Sequence, residues 1–116
     1  MTNQQLSIFD SQNQEQEDIK QRINTLRRLI SVHSCIYYRL SSSLISDKKF
    51  DKLCRELYQL QEENPQIANE GIYSKEFKDF GPATAFDLDT IRYSEIRNKA
   101  KQLIKWFEGG NNVRFK

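Results

Sequence analysis

At 116 residues the chain is long enough for one domain and too short for two, and 37% hydrophobic against 29% charged residues describes a modest core under a wet surface. No apolar run approaches the ~18 residues that cross a bilayer, and the first residues show neither a basic cluster nor an apolar signal core, so the expectation is a cytoplasmic protein with no membrane contact. The net charge of +2 is unevenly spread: residues 1–90 carry −3 and residues 91–116 carry +5. A basic last quarter allows weak contact with phosphates, although an ordinary solvated helix face has the same composition.

Residues 1–17 are rich in Gln and Asn and have no helical or strand period. They read as a disordered tail that buries too little apolar surface to offset the entropy of ordering. A first helix follows. Ile19, Ile23, Leu26, Ile30, His33, Tyr37 and Leu40 recur at alternating steps of four and three, which places them on one stripe, and Leu29, Val32 and Ile36 widen it. His33 on that stripe reads as a packing residue with a wet tip.

Ser41-Ser42-Ser43 interrupts the pattern. Ser46 is placed to cap a second helix, with Asp47 against its dipole, and the apolar face is Phe50, Leu53, Cys54, Leu57 and Leu60. Asn64-Pro65 ends it, since proline disfavours helix at the preceding residue. The short connection makes the two helices an antiparallel pair. Cys35 and Cys54 read as free, buried thiols, because neither they nor His33 show a metal-ligand spacing.

Residues 66–88 read as irregular, punctuated by Gly71, Gly81 and Pro82, with one helical turn near Ser74–Phe80. A third helix is expected from about Asp89 to Phe107, burying Tyr93, Ile96, Ala100, Leu103, Ile104 and Phe107 with Trp106 at the flank. Gly109-Gly110 would stop it. The fold class is thus all-α: a helical hairpin plus a third helix, with a tail at 1–17, a single domain at 18–108 and a flexible basic tail at 109–116.

Two motifs point to function. In Gln5-Leu6-Ser7-Ile8-Phe9, three large apolar side chains stand in an otherwise polar tail with no core to join, and a partner's groove is a common use for such residues. The string resembles the pentapeptide by which bacterial proteins bind the sliding clamp, the DNA polymerase III β subunit, with Ile8 in place of leucine. The resemblance implies that Gln5 hydrogen-bonds at the groove entrance and that Leu6, Ile8 and Phe9 fill apolar pockets.

The second motif is Tyr37-Tyr38-x-Leu40, then Ile45-Ser46-Asp47-x-x-Phe50-Asp51-x-Leu53, Arg55-Glu56-Leu57 and Glu62-Glu63-Asn64-Pro65. Over residues 20–67 it resembles the small helical N-terminal domain, called Ia, of bacterial NAD-dependent DNA ligases, here as a stand-alone unit. In that family the domain closes over the nicotinamide mononucleotide half of NAD, and the resemblance places Tyr37, Tyr38, Asp47, Phe50 and Asp51 at contact positions. Phe50 stands where the family has tyrosine, Ser41 where it has aspartate, and Cys35 where an aromatic is common. Beyond Pro65 the family pattern is not recognisable.

The ligases' adenylated lysine sits in Lys-x-Asp-Gly, which this sequence lacks. Lys78-Asp79-Phe80-Gly81 has the wrong order. With one histidine and no nucleophile–base pair, no catalytic residue and no metal site are expected. The leading expectation is a non-catalytic replication or repair accessory protein, of a makeup that suits a phage or mobile element. It would dock on the clamp and modulate a host ligase or polymerase, with no cofactor required. One alternative is a subunit that binds NAD or nicotinamide mononucleotide and assists a ligase. Another is a DNA-binding helical module, contacting phosphates through Arg97, Lys101 and Lys105.

Overall fold

A computed structural model describes the backbone of residues 3–81 and 83–111 and the side chains of residues 11–81 and 83–109. Its elements are α1 (Asn3–Tyr38), α2 (Asp47–Glu63), the short α3 (Pro65–Ala68) and α4 (Ser94–Trp106). Two 3-10 turns, Ala85–Asp87 and Asp89–Arg92, precede α4, and a π-helical turn, Phe107–Asn111, follows it. Among the described residues there is no strand, and no helix is long and apolar enough to cross a membrane.

Helix α1 is the spine, packing against both α2 and α4. Its buried stripe is Ile23, Leu26, Ile30, Val32 and Ile36, as the periodicity predicts, with Cys35 buried beside it. The helix begins at Asn3, where the composition predicts an irregular tail. Residues 11–18 are exposed, so they add nothing to the core, but their glutamines and glutamates favour helix, and extending an existing helix carries no nucleation cost. At its other end, Leu40 N–H reaches back to the Cys35 carbonyl and Ser42 N–H to that of Ile36, with Ser41 in the left-handed region at φ 52°.

Helix α2 starts as expected. The Ser46 hydroxyl accepts the Lys49 N–H at 3.1 Å and Asp47 occupies the first turn. Cys54 and Leu57 are buried, and Phe50, Leu53 and Leu60 are half-buried against the same core. Arg22 of α1 grips Glu56 of α2 with two hydrogen bonds, which hold the glutamate's pKa below its ordinary value. Pro65 does more than end α2: it takes the first position of α3, where its missing N–H is no loss.

The segment read as irregular carries much of the core. Phe77 is fully buried, and Phe80, Ala85 and Leu88 are nearly so. What fixes it is Arg27, itself fully buried in the middle of α1. Its Nε and Nη2 donate to Gln61 Oε1 at 3.1 and 2.8 Å, Nη2 also to the Ala68 carbonyl at 2.6 Å, and Nη1 to the Glu70 and Ile72 carbonyls at 2.7 and 3.0 Å. These contacts occupy all the donors of a guanidinium and satisfy carbonyls that α3 leaves open at its end. Gln61 passes the connection on, donating to the Phe77 carbonyl at 3.1 Å. Beside it, Asn24 Oδ1 accepts the Ile72 N–H at 3.1 Å. Gly71 (φ +84°) leaves no room for a side chain there, since a Cβ would lie 2.4 Å from Asn24 Oδ1.

Two crossed hydrogen bonds tie this segment to α4: Tyr73 donates to Glu95 and Tyr93 to Glu76, each at 2.7 Å. Tyr93 is the extended N-cap of α4 (ψ 135°), so the third helix starts at Ser94 and the expected turn from Asp89 is 3-10 instead. Ile96, Ala100 and Phe107 are buried as expected, whereas Tyr93, Leu103 and Ile104 are half-buried. Backbone winding continues past Gly109 to Asn111, beyond the stop the glycine pair predicts.

Replacing Arg27 with Met would leave three main-chain carbonyls and a glutamine oxygen buried without donors. We expect a loss of at least about 3 kcal/mol in urea unfolding, because each unmet buried group costs roughly 1–3 kcal/mol. Arg27→Lys should recover only part, since an ammonium lacks the planar fork. A Met variant within about 1 kcal/mol of wild type would remove Arg27 from this role.

Candidate functional site

The last turn of α1, the Ser43–Ile45 connection and the first turns of α2 enclose a cleft of about 320 Å³. This lies within the size range of small-molecule sites. The helical hairpin forces the arrangement: Tyr37 and Tyr38 leave α1 just before it ends, and Asp47, Phe50 and Asp51 enter at the capped start of α2. All five positions assigned through the resemblance line this one cleft. Tyr37 sits on the predicted core stripe, yet it is 52% exposed at the cleft and Tyr38 47%, while the adjacent Cys35 and Ile36 are fully buried.

The two tyrosine rings meet edge to face, with centroids 4.8 Å apart and planes at 82°. Asp51 pairs with Arg55, one turn further along α2, at 2.9 Å. Burial, and then the neighbouring Tyr37, Cys54 and Asp47, push the Tyr38 hydroxyl above its ordinary pKa. Burial with Asp51 pushes the Cys54 thiol up to about 12, so it lines the cleft as a neutral, weakly nucleophilic group.

His33, one turn before Tyr37, is also part of the lining, a role the packing interpretation missed. Its Nδ1 is buried without a protein partner. Burial, and secondarily Lys49, lower its pKa, so the neutral imidazole prevails at neutral pH. The sequence signal was available: His33 and Tyr37 are four residues apart, so a ligand site at one reaches the other. A third wall was not legible at all. Ala83, Ala85 and Phe86 come from the segment after Gly81, and the Phe86 ring lies 6.3 Å from Tyr38.

Among the described residues no Lys or Arg lines the cleft, while Asp47 and Asp51 do. Its chemistry therefore suits a cationic aromatic group bearing hydroxyls, which aromatic faces and carboxylates bind well, and leaves an attached phosphate to the solvent side. The nicotinamide riboside part of NAD has that character, so the residues present fit the group the resemblance implies.

The other assigned residues lie elsewhere. Arg97, Lys101 and Lys105 are exposed at four-residue spacing along one face of α4, and none is in an ion pair among the described residues. Burial pushes the Cys35 thiol above its ordinary pKa, and Arg39, Arg97 and Lys101 oppose this only in part. Both cysteines are free and buried, and among the described residues no three His, Cys, Asp or Glu side chains are grouped to hold a metal ion. The side chains of Gln5, Leu6, Ser7, Ile8 and Phe9 lie outside the described residues.

Comparison with known proteins bears on this hairpin. Residues 16–71 match the family model described as the DNA ligase-like, N-terminal NAD+-binding domain. The DNA ligase of Leptospira biflexa is 47% identical over 53 residues, which are 46% of this chain and 8% of that protein. That of Pseudothermotoga lettingae is 43% identical over 51 residues, 44% of this chain and 8% of that protein. The Fervidobacterium nodosum DNA ligase is 31% identical over 102 residues, 77% of this chain and 14% of that protein. No solved structure matches. The N-terminal part of the chain is therefore a ligase Ia-like domain homologous to DNA ligases, and the chain spans a small fraction of its curated relatives. A match over 77% of the chain is about 89 of its 116 residues, so the similarity runs past Pro65, where the motif pattern had stopped.

The His33 shift sets a pH dependence. An unfolded imidazole takes up a proton near pH 6.5, and the folded one resists it. The unfolded state then binds more protons, so this contribution is complete above pH ~6.5 and is lost as pH falls through the lower folded value. Urea midpoints of wild type should therefore fall more steeply below pH 6.5 than those of His33→Gln. Parallel profiles would mean that His33 titrates alike in both states.

Proposed function

We propose that this chain is a non-catalytic helical module that binds the nicotinamide mononucleotide part of NAD in the α1–α2 cleft and docks on the bacterial sliding clamp through Gln5–Phe9. The observation that carries the nucleotide reading is convergence. Five residues assigned from sequence alone, spread over Tyr37 to Asp51, line one cleft whose formal charges are all negative. The family model matched by residues 16–71 is described as NAD+-binding, which supports the same assignment.

In this reading Tyr37 and Tyr38 offer ring faces to the pyridinium, and Asp47 and Asp51 accept hydrogen bonds from ribose hydroxyls or the carboxamide. The neutral His33 imidazole adds a polar contact without opposing the positive ring. The chain binds without turning over. It lacks the Lys-x-Asp-Gly nucleophile, and its Cys54 thiol and His33 imidazole both rest in their neutral forms. The module would present a ligase-like, nucleotide-holding surface to a ligase or polymerase working at the clamp.

The clamp reading rests on the pentapeptide and on where α1 carries it. Residues 11–18 are exposed, and at ~1.5 Å per residue Phe9 lies roughly 15 Å along the helix from Ile19, the first residue packed on the core. Docking in an extended form requires this helix end to unwind. That costs little, because helix propagation in water is close to neutral per residue.

Calorimetry with nicotinamide mononucleotide should show binding by wild type and about tenfold weaker binding by Asp47→Ala and by Tyr37→Ala. No heat at millimolar ligand would end the nucleotide reading. Separately, titration of purified clamp should give saturable binding that a Leu6→Ala/Phe9→Ala double variant loses by at least about tenfold. Equal binding by the two would remove the pentapeptide from the interface.

A further inference from the structure

Resting on the nucleotide reading above, we propose that Phe86 is the third face of an aromatic cage that makes this cleft select the oxidised, positively charged nicotinamide ring over the reduced, neutral one. Phe86 is 58% exposed, the most exposed of the large hydrophobic side chains in the described structure. It is not on a loose loop. Ala85 and Leu88, on either side, are each buried to 4% exposure. Upstream, Thr84 closes a tight turn: its hydroxyl accepts the Gly81 N–H at 3.0 Å and donates to the Gly81 carbonyl at 2.9 Å, and its N–H donates to the same carbonyl at 3.0 Å. The backbone is thus pinned on both sides of a phenyl ring left facing solvent at the cleft mouth.

The geometry is that of a cage rather than a stack. Tyr37 and Tyr38 meet edge to face at 82°, and Tyr38 and Phe86 at 64° with centroids 6.3 Å apart, so the three rings that line the cleft are not parallel to one another. A ring face carries the negative lobe of the aromatic quadrupole and attracts a cation. Asp47 adds negative charge, Asp51 adds what its ion pair with Arg55 leaves, and among the described residues no Lys or Arg stands in the lining itself. His33 does not compete as a cation, since it is held neutral at neutral pH. Each of these features favours a pyridinium and gives nothing extra to an uncharged dihydropyridine of nearly the same shape.

The test is calorimetry on the full chain with oxidised and with reduced nicotinamide mononucleotide, comparing wild type, Phe86→Leu and Phe86→Tyr. Leucine keeps an apolar side chain but removes the ring face; tyrosine keeps the face. Because Phe86 is exposed, the urea midpoints of both variants should match wild type. We expect wild type to bind the oxidised form at least about tenfold more tightly than the reduced form. Phe86→Leu should weaken only the oxidised form, about fivefold, and Phe86→Tyr should behave as wild type. If wild type prefers the oxidised form and Phe86→Leu is unchanged, or loses both forms equally, the role of Phe86 is overturned while the nucleotide reading stands. If wild type binds neither form, that reading fails and the inference with it.

Discussion

A single buried guanidinium organises the molecule. Placing a charged group in the middle of α1 would be costly without partners, and Arg27 finds them in Gln61 of α2 and in the carbonyls of Ala68, Glu70 and Ile72. Each of those carbonyls belongs to chain that has just left a helix and has no ladder of its own to join. The arginine therefore does for residues 68–72 what a neighbouring strand or helix turn does elsewhere. Once that corner is set, Gln61 positions Phe77, and the crossed Tyr73–Glu95 and Tyr93–Glu76 hydrogen bonds bring α4 onto α1.

The cleft inherits its order from the same scaffold. Its residues lie at the ends of two regular helices rather than on a free loop, so their side chains start from fixed backbones. Ser46 caps α2 one residue before Asp47, which links the placement of a cleft carboxylate to a hydrogen bond at the helix start. Burial then sets protonation: it lowers the His33 pKa and raises that of Cys54. Asp47 and Asp51 are the acidic side chains in the lining, Asp51 within its ion pair to Arg55.

The regular parts of this fold were legible in the sequence because period and capping are local. The stripe on α1, the Ser46 cap and the face of α2 are all readable from spacings of three and four. The packing of residues 66–88 was not legible, since its determinants are hydrogen bonds between residues more than forty positions apart, such as Arg27 to Glu70 and Ile72. A charged residue among apolar neighbours gives no sign from sequence of which carbonyls will meet it. The same blindness hid the start of α4: Tyr93 is extended and its hydroxyl reaches Glu76, and periodicity carries no trace of that bond. For the cleft, the five hairpin positions were found through resemblance. His33 was set aside as packing, and Phe86 had no periodic or motif context to mark it.

The third wall of the cleft separates two boundaries that usually coincide. The family model ends at residue 71, although the weaker similarity to the Fervidobacterium nodosum ligase takes in 77% of the chain. Burial draws the edge of the cooperative unit much later, because Phe77, Phe80, Leu88, Ile91, Ile96 and Ala100 close the core that α1 and α2 leave open. The half of the chain least similar to the ligases thus decides whether the shared half has anything to fold against. Drift in residues 72–107 is accordingly felt in the hairpin that carries the recognisable motif, and selection on that motif constrains residues it never touches.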